Sequence, residues 1–302
     1  MKPTRVHIQD RFFNGHRALR SYFEEVQGDP RGADPRRFCW DFWHVPEQYR
    51  LLRTPAYHYF PKPLYDRLHE RLVRFGREVL GCHDISPPWM SAYVDGCEQR
   101  FHADLPHGPW AFVYSLSPGT AIRGGQTLLL RDEVLSLWER PQDPAGHGME
   151  SAEVLEQIAP VANRLTVFDP RIPHAVSRVE GARDLLDARV VIHGWFVQPR
   201  PFIEGQLPPR RLGTEISRVL EELDAFFRLP SHQGVPVRGM LSLRFTVGAS
   251  GRVGRPRVLI HSLRSHAGVV PRLIEQVLAS LGRSQFLPRD AGSRVTLPLV
   301  FD

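Results

Sequence analysis

Apolar and polar positions change period three times along this chain. Over residues 61–80, PKPLYDRLHERLVRFGREVL, the residues Leu64, Leu68, Leu72, Phe75 and Val79 recur at three- and four-residue steps. That spacing predicts an amphipathic helix with Pro63 in its first turn and Gly81 as its stop. From about 87 to 200 the pattern shortens to runs of β-branched and aromatic residues: WMSAYV, QRFHADL, WAFVYSLS, GQTLLL, RLTVFD, HAVSRV and ARVVIHGWFV. Several alternate, and Gly and Pro separate them, which predicts many short strands in a barrel or jelly roll. One interruption, 132–158, is polar and partly helical in pattern.

The flanks read differently. Residues 1–60 have no sustained period but are dense in aromatics, with Trp40, Trp43, Tyr57 and Tyr59 available either to a core or to a stacking wall beside a ligand. After the strands, PRPFIEGQLPPRRLG is proline-rich and linker-like, and TEISRVLEELDAFFRL predicts a helix with Thr214 as its cap. The last segment alternates on both sides of a glycine-rich turn at 248–251, with Leu241, Leu243, Phe245 and Val247 on one face. A helical VVPRLIEQVLASL and a closing strand SRVTLPLVF follow. The expected fold class is α+β. A double-stranded β-helix (jelly-roll, cupin-like) core with flanking helices and an N-terminal extension occupies 1–205. A linker and bridging helix fill 206–234, and a small β-β-α-β domain takes 235–302.

Composition narrows the setting. Hydrophobic residues are 42% and charged residues 24% of 302, the balance of a soluble globular protein. No apolar run approaches a membrane span, and MKPTRVHIQDRFF lacks the pattern of a secretory signal. Cys39, Cys82 and Cys97 are odd in number and widely spaced, so neither a disulfide framework nor a zinc knuckle is expected and a reducing cytoplasm fits. The net charge of +6 is uneven: residues 231–302 hold ten arginines against Glu275, Asp290 and Asp302. Because the chain has only two lysines, Lys2 and Lys62, among its 39 basic residues, arginine is its general cation. The basic segment therefore reads as solvated surface, with no nucleic-acid or membrane partner expected.

The chemistry lies in four residues. In RFHADL, His102 and Asp104 are two apart, so a strand aims both at one point. His174 follows seventy positions beyond Asp104, after the turn PRIPH. Two imidazoles and one carboxylate can occupy one face of an octahedral ion and leave positions for a chelating cosubstrate and dioxygen. Arg189 shares a strand face with Val191 and His193, and an arginine aimed into a barrel is costly unless it meets an anion.

With these motifs the segment 88–200 resembles the iron- and 2-oxoglutarate-dependent oxygenases, in their prolyl-hydroxylase-like branch. The matching parts are Tyr93 in SAYVDG, the HAD at 102–104, GGQTLLL, NRLTVFDPRIPHAV and ARVVIHGWF. The resemblance implies that His102, Asp104 and His174 bind ferrous iron and do the catalysis. It also implies that Arg189 and Tyr93 hold 2-oxoglutarate, and that the enzyme is a dioxygenase using O2, with ascorbate as an accessory reductant. The implied reaction is hydroxylation of an unactivated C–H bond, of a prolyl or other residue in a peptide or protein, with release of succinate and CO2. A free amino acid or small natural product is the alternative substrate. Gln126 stands where the family usually has an acid, and Asp104 argues against halogenation. Trp110 is a candidate for the pocket mouth, and Arg123 for a substrate carboxylate. A cupin-type zinc or manganese enzyme and a non-catalytic binding protein stay open as other classes. Residues 237–302 are similar, in glycine placement and pattern, to the C-terminal domain of TonB-like transducers. That likeness implies a protein contact or a dimer contact through 235–302.

Overall fold

The computed structural model describes residues 5–28, 34–104, 107–118, 122–131, 154–265 and 268–301. In chain order the elements are β1 (Val6–Gln9), α1 (His16–Gln27), β2 (Asp41–Val45), β3 (Tyr49–Pro55), α2 (Lys62–Phe75), β4 (Cys82–Ile85), β5 (Trp89–Tyr93), β6 (Glu98–His102), β7 (Trp110–Ser115) and β8 (Thr127–Leu130). They continue with β9 (Leu155–Ile158), β10 (Leu165–Phe168), β11 (His174–Val176), β12 (Arg189–Pro199), β13 (Phe202–Gly205), α3 (Pro209–Phe227), β14 (Gly239–Val247), β15 (Arg257–His261), α4 (Val269–Gly282) and β16 (Ser293–Phe301). Two compact units result: one holds Val6–Leu72 and Ile85–Val197, the other Val73–Asp84 and the chain from Gln198 onward.

In the first unit, strands β5 to β12 form two antiparallel sheets, ordered β5-β12-β7-β10 in one direction from β3 and β6-β11-β8-β9 in the other. Strand β3 joins them, pairing with both β5 and β6. Every connection between consecutive strands crosses from one sheet to the other except β8 to β9, which pair directly. This is a double-stranded β-helix, as expected. Its strands are short because each must bend back into the roll, and the alternation of β-branched and aromatic residues gives each sheet one inward face. Of the interruption at 132–158, residues 132–153 lie outside the described residues, and the end of the segment forms β9.

The N-terminal extension is more regular than its pattern suggests. Helix α1 buries Leu19, Phe23 and Val26 at helical spacing, while Arg20 bonds the carbonyl oxygens of Leu116 and Leu186. Strands β2 and β3 form a hairpin that extends the sheet. None of the four aromatics Trp40, Trp43, Tyr57 and Tyr59 lines the cavity within the β-helix, and Tyr57 is exposed. Trp40 and Tyr59 pack with Phe38, whereas Trp43 turns toward Trp89.

The second unit is a four-stranded antiparallel sheet, ordered β13-β16-β14-β15. Leu241, Leu243, Phe245 and Val247 are all buried in its core, together with Leu273 and Val277 of α4. Two local expectations are corrected. The proline-rich 201–208 contains strand β13, paired with β16. Helix α3 starts at Pro209, so Thr214 is no cap but an interior residue whose hydroxyl bonds the Arg210 carbonyl. Proline suits a first turn because the missing N–H has no partner there anyway. Leu212, Val219, Leu223 and Phe226 of α3 belong to this core, so the helix packs in the unit. Here α2 also ends, through a turn at Gly76–Leu80, with Gly81 left-handed at φ 74°. Among the described residues no helix is long and apolar enough to cross a membrane.

Candidate metal centre

Strand pairing brings the predicted ligands together. His102, the last residue of β6, stands directly across from His174, the first residue of β11. Asp104 lies just past β6, where its N–H bonds the Pro170 carbonyl. The His102 Nε2 is 3.6 Å from one Asp104 oxygen, and the His174 Nε2 is 3.4 Å from the other. Ligands on one ion at bonds of about 2.1 Å stand roughly 3.0 Å apart at right angles and 3.4 Å apart at tetrahedral angles. The cluster therefore closes on an ion with shifts of a few tenths of an ångström. The distances alone do not choose the metal.

Each imidazole is already turned for ligation. His102 donates from Nδ1 to the Arg100 carbonyl at 2.9 Å, and His174 from Nδ1 to the Ile172 carbonyl at 2.8 Å. Both Nε2 atoms thus carry the lone pair and face the shared point, an arrangement typical of metal-binding histidines; that of His102 also accepts from Gln99 Nε2 at 3.1 Å, a contact that ligation would replace. Burial, then the neighbouring His174, lowers the His102 pKa, which keeps its ring neutral at pH 7. Burial alone raises the Asp104 pKa, but the His174, His102 and His193 rings around it outweigh that and hold the carboxyl below its usual range.

The three residues line a cavity of about 110 Å³ within the β-helix. Arg189, only 2% exposed, opens into the same space from β12. It pairs across the sheet with Tyr93, and its guanidinium lies 4.7 Å from that ring. One Nη donates to Thr127 Oγ1 at 3.1 Å, while Nε and the other Nη are buried without a hydrogen-bond partner. A buried guanidinium with unspent donors is costly, and burial accordingly lowers its pKa. The chemistry that satisfies it is an anion presenting two oxygens. Tyr93 lines the cavity and donates to Gln99 at 3.1 Å.

Of the glycine pair before β8, Gly125 makes room for this arginine and Gly124 for the backbone at Arg178. A Cβ on Gly125 would stand 3.0 Å from the Arg189 Cδ, and one on Gly124 would stand 1.7 Å from the Arg178 carbonyl oxygen, both at positive φ. Gly124→Ala is therefore expected to cost at least about 3 kcal/mol, measured by urea unfolding. A loss below about 1 kcal/mol would mean the backbone there yields easily.

Two expected site residues lie elsewhere. Ala111, Phe112 and Val113 of β7 line the cavity, whereas Trp110 at the start of the strand does not and is fully buried opposite Phe196. Arg123 is exposed, in a bridge with Glu180. Gln126 bonds Ser177 and does not line the cavity. Conversely, Arg53, Gln99, His193 and Trp195 line the cavity without having been singled out. Of these, only His193 carried a signal, its shared strand face with Arg189.

His193 bonds Ser91 Oγ at 2.8 Å. Burial, then Arg53 and Arg189, push its pKa down to about 3. In the second unit burial holds His261 at about 4. Unfolded, both would take a proton near pH 6.5, so the stability they contribute is complete above that value and lost as pH falls toward 4. Moving from pH 7 to 5 is expected to cost on the order of 1–2 kcal/mol for each, read by denaturant unfolding at the two pH values. Equal stability at both would contradict neutral burial of these rings.

No family model matches the chain, and no curated protein matches it. Solved structures do. A prolyl-4-hydroxylase from Pseudomonas putida is 17% identical at a TM-score of 0.42, covering 64% of this chain and 92% of its own. A viral collagen prolyl hydroxylase from Paramecium Bursaria Chlorella virus-1, in complex with 2OG, is 14% identical at 0.39, covering 64% and 95%. HygX from Streptomyces hygroscopicus, with nickel and 2-oxoglutarate bound, is 13% identical at 0.42, covering 64% and 82%. These are similarities of structure only. At such scores they carry no activity across to this chain, whose own geometry bears the functional reading.

Proposed function

We propose that this chain is a ferrous-iron- and 2-oxoglutarate-dependent dioxygenase. It hydroxylates an unactivated C–H bond, of a prolyl or other amino-acid residue in a peptide or protein, and releases succinate and carbon dioxide. The observation that supports this most is Arg189. A metal site alone would suit a zinc or manganese enzyme equally. A buried guanidinium with two unspent donor nitrogens in the same cavity calls for a second, anionic occupant beside the metal.

In this reading His102, Asp104 and His174 hold the iron, and Arg189 with Thr127 holds the distal carboxylate of 2-oxoglutarate, with Tyr93 packed beneath the guanidinium. When bound, iron and 2-oxoglutarate together with dioxygen supply an oxidant strong enough to break a C–H bond. The protein's part is positional and electrostatic. The Arg100 and Ile172 carbonyls lock both imidazoles in one tautomer. Ala111, Val113, Phe168, Val176 and Val191 give the cavity an apolar wall that limits water. A cavity of about 110 Å³ suits one side chain entering from a longer molecule that stays outside.

The test is anaerobic addition of ferrous iron and 2-oxoglutarate. A weak visible charge-transfer band is expected only when protein, iron and 2-oxoglutarate are all present. Iron-loaded protein that never develops the band would sink the assignment.

A further inference from the structure

The reading above gives Arg189 a ligand but leaves a second arginine in the cavity without one. Strand register separates the two. Arg53 of β3 stands opposite Ser91 of β5, and Ser91 opposite Val191 of β12. Arg189 is therefore two strands across and one same-face step along. At about 4.8 Å per strand and 6.7 Å per step, their Cα atoms lie about 12 Å apart. One small dicarboxylate held by the metal and Arg189 leaves Arg53 unused.

Arg53 is also held in an unusual way. Its buried Nε has no hydrogen-bond partner, and no described carboxylate forms an ion pair with it. Two indoles fix it instead: its Cζ is 4.4 Å from the Trp43 ring centre and 4.0 Å from that of Trp89. Cation–π contacts orient a guanidinium without consuming any of its N–H groups, so the donor fork stays free. Charge points the same way. A divalent ion, Asp104, Arg189 and the two carboxylates of 2-oxoglutarate sum to zero, and His193 is neutral. Arg53 then leaves one positive charge in a cavity partly closed to water, which a single monoanion would balance.

We propose that Arg53 is the anchor for a carboxylate on the substrate, gripped by the free guanidinium fork that lies against Trp43 and Trp89. The substrate class is an amino-acid-derived molecule with an acid near the oxidised carbon. That acid is either the α-carboxylate of a free or C-terminal residue or the side-chain carboxylate of an aspartyl or glutamyl residue in a peptide. The role expected of the exposed Arg123 falls to Arg53. This rests on the dioxygenase reading, which is what commits Arg189 to the cosubstrate.

The experiment uses the full chain and its Arg53→Met and Arg53→Lys variants, loaded without oxygen with ferrous iron and saturating 2-oxoglutarate. The charge-transfer band is recorded first, as a check of folding and of the dioxygenase reading. Calorimetry then compares matched probes: N-acetyl-L-proline and N-acetyl-L-leucine against their amides, and N-acetyl-L-aspartic acid α-amide against its asparagine counterpart. In at least one pair the acid is expected to bind about tenfold tighter than the amide, with that preference falling below about twofold in Arg53→Met and partly kept in Arg53→Lys. The first two pairs report an α-carboxylate and the third a side-chain carboxylate. In the parent protein the preferred acid, but not its amide, is expected to change indole fluorescence, a readout that needs no variant. No acid preference in protein that shows the band would overturn the proposal, as would a preference that survives Arg53→Met. If the parent shows no band, the dioxygenase reading fails first. The same probes on metal-free protein then decide whether an anion site at Arg53 stands without it, and a lack of preference there ends both.

Discussion

Asp104→Ala should lose ferrous iron and with it all succinate formation, while leaving the protein folded. The substitution removes the one anionic ligand from a set of three, and neither imidazole can replace its charge. Iron affinity is expected to fall by at least about a hundredfold. Stability should change by less than about 1 kcal/mol, because the Asp104 side chain is 24% exposed and the side chains closest to it are the two imidazole rings. Metal titration by calorimetry and urea unfolding separate the two effects. Iron bound equally well by Asp104→Ala would show that the cluster is a polar network and not a metal site.

Arg189→Met moves cosubstrate affinity and stability in opposite directions, which makes it more telling than a simple loss. A bidentate, buried carboxylate contact is worth about 3 kcal/mol, so the 2-oxoglutarate requirement should rise by about a hundredfold. Without ligand, however, the guanidinium is 2% exposed and two of its nitrogens have no hydrogen-bond partner. An apolar side chain of similar length relieves that desolvation and is expected to stabilise the ligand-free protein by roughly 1–3 kcal/mol. Unchanged 2-oxoglutarate affinity would remove Arg189 from the site. A lower melting temperature in the ligand-free variant would give it a structural role instead.

The cluster of His102, Asp104 and His174 was legible because its residue types are uncommon inside strands and the HxD spacing is local. His174 needed the strand order as well: only the pairing of β11 with β6 puts it opposite His102. The strands of the β-helix and the closing β-β-α-β segment were legible through alternation, since Leu241, Leu243, Phe245 and Val247 show a clear period of two. What failed to show was dictated by tertiary packing. Helix α1 has only Leu19, Phe23 and Val26 to mark its buried apolar face, and its buried Arg20 is satisfied by carbonyls distant in sequence. Pro209 reads equally as linker or first turn until Leu212 and Val219 find a core. Trp110 looked available because it follows the HxD strand, but it is fully buried opposite Phe196 and does not line the cavity. Arg53 was hidden by abundance: among so many arginines, a single one lying against two tryptophans carries no mark.

The repeated crossing of the chain from sheet to sheet has a kinetic consequence. His102 and His174 become neighbours only when β11 has paired with β6, a contact between distant parts of the chain. Such contacts form late, because loop closure must be paid for before they return anything. In the proposed dioxygenase, a nascent or partly folded chain would hold the HxD pair on an open strand, with only two of the three proposed ligands and little grip on metal. Tight iron binding should therefore arrive with the last stage of folding. Iron release should in turn precede or accompany opening of the roll, so that bound metal slows unfolding more than it speeds folding.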